Sequence, residues 1–494
     1  MQLLKVYIQE TAMRLTTELL PLFFLTYVAH ILQLHALGVQ AGTFAVIMMP
    51  IAVISTAVRV YAQNELNKMS PDKRGNSSFF WGIWSIQLLA LIVFASITWA
   101  VIRFAELPYT SVFRLQLLFY VGAILDIAWL YNGINKTRVV VRRDALMQLL
   151  RFVPLIIFVK SSADLNSFII LLAVTTIVAN LLLWFELPSV LVRVNIALIP
   201  LRTHIKTLLF FVATALLPQL ALYLNKAVLF ITKGSADVAM YYSAELLVKV
   251  GVALVLGIAM AMMAKVTEQR KMGDSAGVAK SFYDAIEYSS ALSVLIAVGV
   301  ATVGPQAVLW FLGPSFSETG EVLQVLAFVI VVASWRYSLA LQQMAAERGF
   351  RNISVPVQIG AGITVVLTFL VVPRFGMLAA AWAALIGELS ALVIQIALLK
   401  SILNVWRLVR VTWRYIVAGV VSMAGMLIVI RIVPGPYPKF SALEALIGMV
   451  LYTLVVYTFS TPVIKMVNAV ALFAIKRMYE STNEFIRSVL RLNK

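Results

Sequence analysis

Long apolar stretches follow one another along the chain, separated by short polar connections. The apolar positions run continuously instead of alternating, so the pattern predicts helices and not the strands of a barrel. The stretches fall at 11–33, 41–63, 79–101, 112–134, 144–160, 167–187, 207–231, 238–263, 282–304, 320–343, 353–373, 376–399, 411–432 and 441–464. Most reach the roughly 20 residues that a helix needs to cross the ~30 Å hydrocarbon layer. The predicted fold class is therefore all-α and integral to the membrane, with about fourteen crossings by that length rule.

Composition supports the membrane as solvent. Mean hydropathy is +0.93, and only 13% of residues are charged, about half of what a soluble domain carries (~25%). The chain has no cysteine, which excludes disulfides, thiolate metal sites and a cysteine nucleophile. Three histidines (His30, His35 and His204) are too few and too scattered for a histidine-rich metal site. The net charge of +18 reads as basic loops facing anionic lipid and not as a nucleic-acid surface. The first apolar stretch carries Arg14 and Glu18 and lacks a small-residue cleavage site, so no cleavable signal peptide is expected.

The connections alternate in charge. The even-numbered ones hold Lys68, Lys73, Arg74; Lys136, Arg138, Arg142, Arg143; Arg193, Arg202, Lys206; Lys265, Arg270, Lys271, Lys280; Arg348, Arg351; and Lys400, Arg407, Arg410, Arg414. That is about twenty basic residues against about seven in the odd-numbered ones, which by the positive-inside rule puts both termini in the cytoplasm. A miscounted span would break the alternation. The tail from 466 to 494 is basic and amphipathic and is expected on the inner membrane surface.

Two features suggest a duplicated six-helix unit. A longer polar stretch around 187–207 follows the sixth span, and the first and seventh spans share a Leu-Leu-Pro step, at Pro21 and Pro218. Each proline frees a backbone carbonyl and permits a kink. The expected organisation is an N-terminal bundle (1–195), a C-terminal bundle (196–405), two further transmembrane helices (406–465) and the tail (466–494).

Ionisable residues within spans are costly and usually face a partner or a hydrated cavity. Span one holds Arg14 and Glu18 at i,i+4, span two Arg59, and span four Asp126. Span seven holds Asn225 and Lys226, span eight Glu245 and Lys249 at i,i+4, span ten Arg336 and span twelve Glu388. Snorkelling would account for Arg14, Glu18 and Arg59, and helix-to-helix neutralisation for Glu245, Lys249 and Glu388. Taken together they predict a hydrated cavity between two bundles. Arg14, Arg59, Lys226, Lys249 and Arg336 are the candidate substrate-binding cations; Glu18, Asp126, Asn225, Glu245 and Glu388 are candidates for ion coupling or charge balance. The surplus of guanidinium and ammonium groups favours an anionic ligand, phosphate above all.

The segment Asp126-Ile-Ala-Trp-Leu-Tyr-Asn-Gly-Ile-Asn-Lys136, with Arg142-Arg143 and then Phe158-Val-Lys-Ser-Ser-Ala-Asp-Leu165, resembles the Wzx-type polysaccharide-biosynthesis flippases. So do Leu217-Pro-Gln-Leu leading to Tyr241-Tyr242-Ser-Ala-Glu245, Phe311-Leu-Gly-Pro-Ser-Phe, and Val372-Pro-Arg-Phe-Gly376. The likeness runs over about residues 1–405. It implies the fold of the multidrug/oligosaccharidyl-lipid/polysaccharide exporter superfamily, two six-helix bundles in a V. It also implies transfer of undecaprenyl-diphosphate-linked oligosaccharide repeat units across the bacterial cytoplasmic membrane, for O-antigen, exopolysaccharide or capsule. Implied partners are that lipid-linked oligosaccharide, membrane lipids, and the polymerase and chain-length proteins of the same pathway. No cofactor is expected, with H+ or Na+ coupling left open. The chain departs from the family at Asn225, where an acid often precedes the lysine; a coupling role for that acid would have to move to Glu245 or Glu18.

An ion-coupled small-molecule exporter on the same fold is the main alternative, but exporters of cationic drugs need an acidic cavity. A membrane enzyme such as a glycan polymerase would need a large loop to hold glycan and a paired-carboxylate site, and the connections offer neither. A scaffold would not need charges in so many spans.

Overall fold

In the computed structural model the described residues are 2–69, 73–192, 201–345, 351–400, 403–432, 438–459 and 462–464. In chain order they form α1 (Gln2–Leu66), α2 (Lys73–Phe104), α3 (Thr110–Gln116), α4 (Leu118–Leu125), α5 (Ala128–Gly133), α6 (Thr137–Phe158) and α7 (Leu165–Phe185). There follow α8 (Leu201–Thr232), α9 (Ser235–Lys271), α10 (Ser275–Phe311), α11 (Thr319–Ala345), α12 (Arg351–Leu399), α13 (Val405–Ile432) and α14 (Pro438–Thr458). No strand occurs among the described residues. Eleven helical segments there are long and apolar enough to cross a membrane.

Two of those segments are too long for one crossing. A helix of 65 residues such as α1 would be about 97 Å long at 1.5 Å per residue. α1 breaks at Gln33 (φ 61, ψ 179), and α12 breaks at Gly376 (φ 70, ψ −148). The loops that the hydropathy pattern predicts at 34–40 and 374–375 are thus single-residue breaks between helical limbs. At Gly376 the left-handed φ suits glycine, and Pro373 removes a donor just upstream. The fourth apolar stretch is also interrupted: α4 ends at Asp126 in an extended conformation, and its Oδ1 accepts from the Ala128 amide at 3.0 Å, capping the start of α5.

Large apolar side chains cover the outside. Ile97, Trp99, Phe104, Phe158, Phe185, Phe369, Leu370 and Trp406 are all exposed, a surface far more apolar than water tolerates. Inside, one apolar cluster joins the second limb of α1 to α2–α7 and the start of α8. A second joins both limbs of α1, the end of α6 (Leu155, with Val159 just beyond it) and Phe168 of α7 to α8–α12. α13 and α14 pack on each other and along α10, where Tyr452 donates to the Ala291 carbonyl at 2.8 Å and Tyr415 to Glu287 at 3.0 Å. The expected amphipathic tail at 466–494 lies outside the described residues.

The two halves meet closely at the end that carries the Gln33 and Gly376 breaks. Gly38 of α1 lies so near Ser235 of α9 that a Cβ would collide with the Ser235 carbonyl, and one on Gly42 would collide with the Phe230 ring of α8. Gly38-Val-Gln-Ala-Gly42 is a small-xxx-small step that lets backbones approach. His35 reinforces the contact, with Ser235 Oγ 2.7 Å from Nδ1 and Tyr109 Oη 3.4 Å from Nε2.

Candidate functional site

A cavity of about 440 Å³ opens within the C-terminal half, walled by α8, α9, α11 and α12. Its lining is mostly apolar, broken by Glu245, Lys249, Arg336 and Glu388. The two limbs of α12 close one wall through Gly360 and Gly387, where a Cβ on Gly360 would strike the Gly387 carbonyl. That approach sets Glu388, the next residue, beside α11.

The charged groups are paired. Glu245 and Lys249 are one turn apart on α9 and lie 3.2 Å from each other. Lys226, buried on α8, reaches the other Glu245 oxygen at 2.5 Å and donates to the Leu222 carbonyl at 2.9 Å. Arg336 on α11 donates through Nε to Glu388 Oε2 at 2.7 Å and through Nη2 to Oε1 at 3.4 Å. Its guanidinium also lies 4.5 Å from the Tyr337 ring centroid, a cation–π contact. Carboxylates with well-aimed hydrogen bonds are what allow such cations out of water.

Counting the group changes the expected surplus. Three cations (Lys226, Lys249, Arg336) face two carboxylates (Glu245, Glu388), leaving one positive charge. Lys249, whose side chain is 44% exposed, is the cation most open to a ligand.

Of the other sequence-predicted residues, Asn225 also lines this cavity, whereas Asp126 and Arg59 lie elsewhere. Asn225 is buried, donating to Tyr241 Oη at 3.1 Å and accepting from the Thr368 hydroxyl, so it ties α8 to α9 and α12. Asp126 caps a helix in the N-terminal half. Arg59 is exposed on the second limb of α1, within electrostatic reach of Asp144 on α6 and Tyr223 on α8. Arg14 and Glu18 lie outside the residues whose side chains are described. Tyr27 donates to the Val159 carbonyl at 2.9 Å and Trp335 to Ser290 Oγ at 2.8 Å, which are packing roles.

Sequence reasoning passed over a polar group in the N-terminal half. Arg143 pairs with Asp144 at 3.0 Å and donates to the Asn180 amide oxygen. Arg151 bonds Thr175 and Thr176 on α7 at 2.8 and 2.9 Å. α6, which carries all three of these charges, is absent from the eleven segments apolar enough to span. A charge two turns into the predicted span 144–160 was the available signal. Among the described residues no group of three or more His, Asp or Glu is placed to hold a metal.

No protein-family model matches the chain, and no curated protein matches it in sequence. Solved structures do share its fold. The lipid II flippase MurJ in an inward closed conformation superposes with a TM-score of 0.73 at 12% identity, over 92% of this chain and 98% of that one. An inward-facing multidrug resistance MATE family transporter of the MOP superfamily gives 0.56 at 15% identity, over 81% and 98%. A MOP superfamily transporter from Pyrococcus furiosus, described as having a binding pocket of reversed polarity, gives 0.51 at 13% identity, over 83% and 96%. At these identities the likeness is one of fold. The chain shares the all-helical fold of these MOP-superfamily transporters, which bears out the expected all-α membrane class, while eleven and not fourteen segments meet the spanning measure among the described residues.

Proposed function

We propose that this chain is a flippase for undecaprenyl-diphosphate-linked oligosaccharide repeat units, working by alternating access in the bacterial cytoplasmic membrane. Each long helix that breaks, at Gln33 and at Gly376, counts as two crossings in this reading. With α6 added the total becomes fourteen, and both termini face the cytoplasm. The two six-helix halves (1–195 and 196–405) rock about the close contact at Gly38, and α13–α14 ride on α10.

The observation that carries the reading is the charged cavity among lipid-embedded helices. A sugar–diphosphate head cannot cross hydrocarbon, whereas its prenyl tail never leaves it. A cavity with one net positive charge gives the head a path, and cations already matched by carboxylates hold it without trapping it. The diphosphate competes with Glu245 for Lys249 and with Glu388 for Arg336, so binding is an exchange of counter-ions. Release restores the internal pairs. The likeness in fold to a lipid II flippase agrees with a lipid-linked cargo. No cofactor enters this cycle; H+ or Na+ would act through Glu245 or Glu18. The polymerase and chain-length proteins of the same pathway are the proposed partners, consuming the repeat units after transfer.

The test is complementation of a strain lacking its own oligosaccharide-lipid flippase, comparing wild type with Lys249→Ala and Arg336→Ala at matched expression. Polymer restored by wild type and lost in the variants is the expected result. Restoration by all three would keep the function and remove the cavity from it. Failure of wild type to restore polymer, together with efflux of a cationic dye, would favour the small-molecule exporter reading.

A further inference from the structure

Arg151 differs from Lys226 and Arg336 in what balances it. Those two are held by carboxylates, whereas Arg151 has no carboxylate within salt-bridge distance among the described residues. Its contacts are two neutral hydroxyls, Thr175 and Thr176. The only acid close by in sequence, Asp144, is engaged with Arg143 at 3.0 Å. The hydroxyl protons of Thr175 and Thr176 go to the Leu171 and Leu172 carbonyls, so their oxygens accept from Arg151 and fix the guanidinium plane. A guanidinium has five N–H donors, and two of them are used among the described residues.

Arg151 also lines a separate cavity of about 180 Å³, beside Gln148 and Gln40, with Phe24 and Phe168 among its apolar walls. One wall comes from the other half of the protein: Tyr242 of α9. Tyr242, Glu245 and Lys249 stand at i, i+3 and i+7, on one face of α9. That face therefore touches the Arg151 cavity at one end and the Lys249 cavity at the other.

We propose that Arg151 is a second anion-binding cation, which takes the phosphate of a lipid-linked substrate on the N-terminal half. The face of α9 bearing Tyr242, Glu245 and Lys249 joins it to the C-terminal cavity. Asp144, ion-paired with Arg143, is shared electrostatically by Arg151 and Arg59, so three cations draw on one described carboxylate. Such a surplus inside a membrane protein favours an anionic ligand, and a forked guanidinium suits phosphate oxygens. The inference rests on the flippase reading and adds to it a second phosphate position, in the other half.

The experiment uses the purified full chain in detergent and reads the rise in unfolding temperature on adding undecaprenyl diphosphate, with phosphatidylglycerol as a second arm. The expected result is a rise for wild type that is lost in Arg151→Gln and partly kept in Arg151→Lys, with little change in the ligand-free unfolding temperature. A full rise in Arg151→Gln would overturn the Arg151 site and leave the flippase reading standing. No rise for wild type with undecaprenyl diphosphate would overturn both. Equal rises with both lipids, each lost in Arg151→Gln, would support the site with an ordinary phospholipid as the phosphate source. If Arg151→Gln does not fold, phenylglyoxal modification of wild type gives the same decision. Protection of Arg151 by undecaprenyl diphosphate supports the site, and unchanged modification overturns it.

Discussion

Lys226 and Glu245 face each other across α8 and α9 at 2.5 Å, and the same carboxylate holds Lys249 at 3.2 Å. One acid thus serves two cations, one buried and one open to the cavity. Removing the acid strands the buried one. Glu245→Gln is expected to lower stability by about 3–5 kcal/mol, the usual cost of an uncompensated buried charge. Lys249→Gln removes a partner that is 44% exposed and should cost about 1 kcal/mol or less. Thermal unfolding of the purified variants checks the order; equal losses would mean that Lys226 does not depend on Glu245.

Arg336 and Glu388 make an unequal pair, with side chains 8% and 32% exposed. Glu388, if left alone, still reaches water, whereas Arg336 touches it only at the cavity wall. Glu388→Ala should therefore destabilise by about 3–5 kcal/mol, and Arg336→Ala by about 1–3 kcal/mol. Chemical unfolding of both variants, with Arg336→Lys to test the two-point contact, measures the difference. The reverse order would contradict the burial.

How much of this was readable in the chain follows from what fixes each contact. Glu245 and Lys249 are one turn apart, so their pairing is local and legible. Lys226 meets Glu245, and Arg336 meets Glu388 52 positions away, only through the packing of helices, whose rotation hydropathy does not encode. That is why five cations looked like a large surplus until three of them proved to share two carboxylates. Arg151 is hidden for the opposite reason: the apolar residues around it on α6 mask a lone charge in a hydropathy pattern. The helical class was legible throughout, yet the break at Gln33 was not, since one left-handed residue replaced a loop that the pattern made seven residues long.

Asp126 ends α4 and caps α5 through the Ala128 amide at 3.0 Å. Its carboxylate oxygen is doing what an amide oxygen can do equally well. Asp126→Asn is expected to keep transport near wild type, while Asp126→Ala loses about 1 kcal/mol of stability. Transport assayed across external pH separates this from a coupling role. A collapse of transport in Asp126→Asn with unchanged unfolding temperature would assign the charge to ion coupling.

The approach of Gly38 to Ser235 makes a prediction about motion. A methyl group at Gly38 meets the Ser235 carbonyl, a backbone group that cannot swing aside as a side chain can. Gly42, one turn on, is packed against Cβ, Cγ and Cδ2 of Phe230, a side chain that can change rotamer but not merely spin its ring out of the way. Gly38→Ala should therefore hold this end of the two halves apart, at an overpacking cost of about 1–3 kcal/mol. Gly42→Ala should also do so, through displacement of the Phe230 side chain. The natural absence of cysteine allows a direct measurement, with a single cysteine placed at the cavity-lining Ala253. Membrane-impermeant thiol reagent should label it from the cytoplasmic side in the parent protein. In Gly38→Ala, labelling from the opposite side should rise. Unchanged labelling from both sides would show that the Gly38 contact does not control access, whatever the variant does to stability.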